Sequence, residues 1–125
     1  MISPEDMMGF DYYSTLDGKL TLDQYQNKAS ATAIYPSTAA ILYPALGLAG
    51  EAGEVANKVK KIIRDNAFDR GGIAAELGDC LWYIAALARD LNISLSDIAK
   101  ENLDKLDKRK KEGKIAGNGD YRWQK

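Results

Sequence analysis

The sequence predicts an all-α protein, a helical bundle with about four helices per chain. Three observations point there. Apolar residues recur at helical spacing through the long central stretches. Capping residues stand where those stretches begin and end. No run alternates apolar with polar residues as a strand does, and no repeat or low-complexity segment interrupts the 125 residues.

Residues 1–20 show no sustained periodicity and read as an N-terminal arm, with Asp17-Gly18 as a turn. Thr21-Leu22-Asp23-Gln24 fits a capping box, with Thr21 as N-cap and Gln24 reaching back. A short helix should follow to about Ala33, with Leu22, Tyr25 and Ala29 on one side. Tyr35-Pro36 closes it, because a residue before proline avoids the helical region. A second helix is expected from around Pro44, or slightly earlier with a kink there, to about Asp65. Its apolar face is Leu48, Ala52, Val55, Val59, Ile62 and Ile63. Glycines at 47, 50 and 53 each cost about 1 kcal/mol against alanine, and their density suggests close backbone packing.

Residues 66–72 read as a loop. A third helix is expected from about Gly72 to Leu91, carrying Leu77, Cys80, Leu81, Ile84, Leu87, Ala88 and Leu91 on its apolar side, with Asn92 as C-terminal cap. Ser94 caps a fourth helix that runs to about Glu112, where Gly113 stops it. Residues 113–125 form a polar tail. The whole chain, 1–125, reads as one domain, and its size is enough to bury roughly 65–70% of the unfolded surface.

Composition removes several function classes. The net charge of -1, from 17 basic and 18 acidic residues, argues against a surface that grips nucleic acid. One cysteine, Cys80, allows no intramolecular disulfide. The absence of histidine excludes imidazole bases, His-ligated zinc and Glu-x-x-His di-iron sites. The N-terminus lacks a signal-peptide pattern. The uncharged stretch Ala29–Gly50 is too polar and too broken by Pro36 and Pro44 to span a membrane. The expectation is a soluble, cytoplasmic protein with no membrane and no nucleic-acid partner.

Two carboxylate pairs carry the chemistry: Glu51-Ala-Gly-Glu54 and Glu76-Leu-Gly-Asp79. Each is spaced i, i+3, so both acids share a helical face beside the apolar stripe. If the two helices pack side by side, four carboxylates converge, and their repulsion calls for a cation. An all-oxygen donor set favours Mg²⁺ or Mn²⁺ over zinc, and Mg²⁺ commonly takes phosphate oxygens as further ligands. The plain alternative is acids that solvate helix faces. Lys58 and Lys61 continue the Glu51/Glu54 face, with i, i+4 pairing to Glu54 and Asp65 as the alternative role. Asn102 falls mid-stripe among Leu95, Ile98, Ala99, Leu103 and Leu106, with Lys105 and Arg109 on the flank. All three either face a polar pocket or are a satisfied core amide with two solvated cations. Tyr83 lies one turn beyond Asp79, with Trp82 beside it; each is either core or a stacking surface for a base.

The stretch Leu46-Gly-Leu-Ala-Gly-Glu-Ala-Gly-Glu-Val55, then Lys60-Lys61, Arg64-Asp65 and Glu76-Leu-Gly-Asp-Cys-Leu-Trp-Tyr83, resembles the MazG-like nucleotide pyrophosphohydrolases. Asn102, Lys105-Leu106, Arg109 and the tail Gly117-Asn-Gly-Asp-Tyr-Arg122 extend the resemblance over roughly residues 22–122. It implies the all-α NTP pyrophosphatase fold, related to dimeric dUTPases and phosphoribosyl-ATP pyrophosphohydrolases. It also implies Mg²⁺-dependent hydrolysis of nucleoside triphosphates to monophosphate and pyrophosphate, in a house-cleaning role. Carried over, Glu51, Glu54, Glu76 and Asp79 are metal ligands and catalytic acids. Many members have two adjacent glutamates at the first motif, whereas Gly50 precedes Glu51 here. The base is then one of the four acids, or the metal activates the water. Lys61, Lys105 and Arg109 are expected to neutralise phosphate charge, Asn102 to hydrogen-bond the nucleotide and Tyr83 to contact it. A homodimer or homotetramer with shared sites is expected. The rival readings are a pyrophosphohydrolase for another substrate, and a non-catalytic helical module that senses nucleotides or docks a partner.

Overall fold

A computed structural model describes residues 18–116. The architecture is all-α: α1 (Leu22–Ser30), a 3-10 turn (Ser37–Ala39), α2 (Leu42–Asp65), α3 (Arg70–Asp90) and α4 (Leu95–Lys111), with no strand among the described residues. The densest packing is between α2 and α3, while α1 lies on α3 and touches α4. None of the helices among the described residues is long and apolar enough to cross a membrane. The Asp17-Gly18 turn is seen only at Gly18, whose φ of 79° suits glycine. Most of the arm, and the tail from Gly117 on, lie outside the described residues.

The ends of the helices follow local chemistry. At α1 the capping box forms: Gln24 N–H donates to Thr21 Oγ1 at 3.1 Å, and Thr21 N–H to Gln24 Oε1 at 2.8 Å. The helix stops at Ser30, three residues short of the sequence expectation. Thr32 folds back there, its hydroxyl donating to the Ala29 carbonyl at 2.7 Å. Proline at 36 is therefore not what ends α1. Asn92 (φ 58°) and Gly113 (φ 67°) close α3 and α4 in the left-handed conformation. In each, two N–H groups return to the last turn: Ile93 to Ala88 at 2.9 Å and Asn92 to Arg89 at 2.8 Å, then Lys114 to Arg109 at 2.7 Å and Gly113 to Lys110 at 3.1 Å.

Helix α2 ends at Asp65 as expected, capped by Asn66 (φ 51°), whereas the start of α3 differs from expectation. Asp69 caps α3, accepting from Gly72 N–H at 2.9 Å, so α3 begins two residues early, at Arg70. A Cβ on Gly72 would collide with that carboxylate, which explains the glycine. Helix α2 starts at Leu42, and Pro44 sits buried in its first turn, where N–H groups have no intrahelical acceptor to lose. Before it, Ile41 occupies φ 69°, ψ -54°, with Leu42 N–H donating to Ala40 at 2.8 Å. This is the strained form of the γ-turn, costing about 1–3 kcal/mol for a non-glycine residue.

The buried core is small: Ala85, Ala86 and Ala88 of α3, Leu95 of α4 and Pro44 of α2. Gln26 is buried among them and ties three elements together. Its amide donates to the carbonyls of Ile93 at 3.0 Å and Ala85 at 3.3 Å, and its oxygen accepts from Leu95 N–H at 2.9 Å. Asp23 takes Ser96 N–H and Ser94 takes Asp97 N–H, each at 3.0 Å, so the first turn of α4 is satisfied by side chains. The expected stripe of α2 is covered only in part. Leu48, Val55 and Ile62 are half-buried, while Ala52, Val59 and Ile63 are exposed. Of the three α2 glycines, only Gly47 marks a close approach: a Cβ there would overlap the Tyr83 ring, whereas Gly50 and Gly53 face open space.

Candidate active site

Glu51 projects from the middle of α2 toward α3, and Glu76 and Asp79 project back one turn apart. Their carboxylate oxygens all lie within 4.8 Å of one another. Glu51 and Glu76 are half-buried and Asp79 is exposed. Gly47 allows this approach, since the helices close over it one turn before Glu51. Glu54 remains exposed and stands outside the trio, although its charge still reaches Glu51. Three of the four expected acids therefore converge within one chain.

The trio is electrostatically unfavourable by itself. Partial removal from water pushes the Glu51 carboxyl above the usual carboxylate range. The Asp79 charge adds to this, followed by a hydrogen bond shared with Glu76 and the charges of Glu76 and Glu54. No basic side chain is paired to Glu51, Glu76 or Asp79 among the described ion pairs; Lys58 turns instead to Asp69 at 3.8 Å, and Arg64 to Asp65 at 2.7 Å. Neither of the i, i+4 pairs considered from the sequence is among those ion pairs, though the Lys61 charge acts on Asp65. Three carboxylates with only oxygen donors and no cationic side chain fit a hard divalent cation.

A cavity of about 350 Å³ opens beside the acids, lined by Thr32, Glu51, Asp79, Trp82 and Tyr83. Two contacts hold its aromatic wall. The Trp82 indole N–H donates to Thr32 Oγ1 at 2.7 Å, and the Trp82 and Tyr83 rings meet edge to face at 5.0 Å. Burial raises the Tyr83 hydroxyl pKa, and the neighbouring Tyr43 and Glu51 raise it further. Tyr83 thus stands beside Glu51 and Asp79 at the cavity. Thr32 was missed, because no local pattern shows that a connecting segment will cross a helix fifty residues on.

The other expected contacts lie elsewhere. Lys61 is exposed on α2. Asn102 and Lys105 line a separate shallow depression on α4 with Ile98 and Glu101, and Arg109 is half-buried one turn further on. The mid-stripe burial expected for Asn102 does not occur in the single chain. Only the first turns of α4 pack, and every residue from Lys100 to Lys108 is exposed. A larger cavity, about 420 Å³, lies where α1 meets the start of α4, lined by Gln26, Arg89, Asn92 and Asp97 among others. Gln26 and Arg89 in its walls already hold helices together, Ser94 caps α4, and none of the acid trio lines it.

An all-α bundle whose paired helices present converging carboxylates to an aromatic-walled cavity defines a class: all-α proteins with an acidic centre suited to a divalent cation. Comparison with known proteins makes this specific. The MazG nucleotide pyrophosphohydrolase domain matches residues 42–113, from the first residue of α2 to the cap of α4. The Gene 37 protein of Mycobacterium phage L5 is 48% identical over 112 residues, covering 81% of this chain and 98% of the relative. The chain belongs to the MazG nucleotide pyrophosphohydrolase family, whose members generally use a divalent metal. No solved structure matches it significantly.

Proposed function

We propose that the protein hydrolyses nucleoside or deoxynucleoside triphosphates to the monophosphate and pyrophosphate in the presence of Mg²⁺, with Mn²⁺ as a substitute, and that this removes unwanted nucleotides. The observation that carries the reading is the convergence of Glu51, Glu76 and Asp79 at the mouth of the cavity walled by Trp82 and Tyr83. Glu51, Glu76 and Asp79 hold the cation, and Glu54, whose charge already reaches Glu51, completes the set. When bound, a divalent cation polarises phosphoryl oxygens and lowers the pKa of water. The acids orient the water and accept its proton. Tyr83 and Trp82 offer the ring surface on which a base stacks, and Thr32 fixes the Trp82 ring from behind.

Lys61, Asn102, Lys105 and Arg109 are the phosphate and nucleotide contacts in this reading. Asn102 and Lys105 lie on the exposed part of α4, so a second copy brings that helix to the site. The chain is then one domain, 1–125, working as a homodimer or homotetramer.

Phosphorus NMR of the products formed in ¹⁸O-water tests the reaction. Pyrophosphate and a labelled monophosphate are expected from a panel of triphosphates with Mg²⁺, and none in excess chelator. Release of orthophosphate from the γ position overturns the reading.

A further inference from the structure

The 31–41 connection between α1 and α2 is pinned to α3 at two places. Beside the acids, Trp82 donates to Thr32 at 2.7 Å. Eight residues further along α3, about 12 Å by helical rise, one oxygen of Asp90 accepts twice. It takes the Tyr35 hydroxyl at 2.7 Å and the Ile41 backbone N–H at 2.9 Å. The other oxygen faces Arg89 at 3.3 Å, and Arg89 also donates to Tyr35 and to the Ser30 carbonyl. The Asp90 side chain is only 6% exposed. It is a buried carboxylate that the hydrolytic reading does not use.

The residue that Asp90 holds is strained. Ile41 is β-branched and stands at φ 69°. Starting a helix does not demand this, since Thr21 and Ser94 precede α1 and α4 in extended conformation. Strain of this kind persists where surrounding contacts over-determine it, and it concentrates near functional sites. Beyond Ile41 the chain leads to the cavity. Tyr43 stacks on Tyr35 with centroids 4.7 Å apart and tilts against Tyr83 at 6.4 Å, and Tyr83 lines the cavity with Thr32.

We infer that Asp90 is a positioning residue for the candidate site. By holding Ile41 in the strained turn and Tyr35 against Tyr43, it sets the cavity wall made by Tyr83 and Thr32. The inference rests on the reading of that cavity as the nucleotide site. Asp90 is not among the residues that line the cavity or form the acid trio, so it acts on substrate fit and leaves the acids in place.

Four variants test this: Asp90→Ala, Asp90→Asn, Ile41→Gly and the double variant Asp90→Ala/Ile41→Gly. Asp90→Ala should raise KM for the triphosphate at least about tenfold while kcat stays within about threefold. Glycine adopts positive φ without penalty, so Ile41→Gly in that background should recover at least about half of the rise in KM, the part carried by the turn rather than by Tyr35. Ile41→Gly alone should leave activity unchanged. Asp90→Asn keeps one acceptor oxygen and should fall between. If Asp90→Ala does not fold, Asp90→Asn and Asp90→Asn/Ile41→Gly carry the same comparison.

A second readout needs no turnover. In a Trp123→Phe background Trp82 is the only indole, and its emission should shift with Asp90→Ala and recover in the double variant. Wild-type KM and emission in Asp90→Ala overturn the inference. So does a lowered melting temperature with a raised KM that Ile41→Gly does not lower, because that marks a general stability role. If the parent protein hydrolyses no triphosphate while the emission still follows Asp90 and Ile41, the hydrolase reading fails and the positioning role stands.

Discussion

At Glu51 a single side chain carries opposite demands. Partial burial and three neighbouring acids hold its carboxyl above the usual range, so the folded protein binds that proton more tightly than the unfolded chain does. Stability is therefore lost as pH rises through the folded value, and near neutrality the trio opposes folding until a cation arrives. Glu51→Gln should melt no lower than the parent in chelator, while nucleotide turnover with Mg²⁺ falls at least about 100-fold. Thermal melts and kcat/KM on one preparation check both halves; near-normal turnover removes Glu51 from the site. Gly47 supports the same residue from below. Its Cβ would enter the Tyr83 ring, so Gly47→Ala should destabilise by roughly 1–3 kcal/mol, read from denaturant melts. An unchanged midpoint would mean that Tyr83 moves aside freely.

Helix ends divide according to where the signal lies. Thr21 with Gln24, Ser94, Asn92 and Gly113 are legible from the sequence because their partners are three to five residues away. Asp69 is just as local, but Gly71 and Gly72 after it look like loop, and the capping signal is hidden behind them. Asp69→Ala should cost about 0.5–2 kcal/mol by equilibrium unfolding, with the lost contact to Lys58 adding little at an exposed pair. Asp90 gives the connection between α1 and α2 its pH dependence. Burial pushes its carboxyl up, but the hydrogen bonds from Ile41, Tyr35 and Arg89 and the Arg89 charge outweigh this, and the net shift is downward. A depressed folded value means stability that is present above the ordinary aspartate range and lost as pH falls through the folded value. Asp90→Asn should therefore flatten the fall in melting temperature below the ordinary aspartate range. An acid limb as steep as the parent's would place the titration elsewhere.

At the scale of the whole molecule, the covered surface among the described residues is small. The fully buried apolar side chains are mostly alanines, while Leu42, Leu46, Ile63 and Leu77 stand 54–81% exposed on the two helices that carry the acids. Exposed apolar surface on that scale is what the proposed homodimer or homotetramer would cover. Sedimentation at micromolar concentration should show a dimer or larger. Leu46→Glu should shift it toward monomer, with at least about a tenfold loss of turnover if the partner's α4 completes the site. An active monomer would leave Asn102 and Lys105 without a role in catalysis.

Periodicity, caps and acid spacing are short-range properties, so the helices, their approximate bounds and the i, i+3 acid pairs could be read from the residues alone. The same local chemistry, together with the absence of histidine, limited the donor set to oxygen. The meeting of α2 and α3 is a different kind of fact. Glu51 joins Glu76 and Asp79 while Glu54 stays outside because of the rotation of one helix against the other over Gly47, and no local pattern specifies that angle. Asn102 shows the same limit from the other side. Spacing places it on the stripe, but burial depends on what packs there, and α4 leaves the bundle after its first turns. Thr32 meets Trp82, and Tyr35 and Ile41 meet Asp90, across 49 to 55 residues of chain. Contacts of that range arise only once the helices have docked, because hydrogen bonds between distant residues follow from packing and leave no period in the sequence.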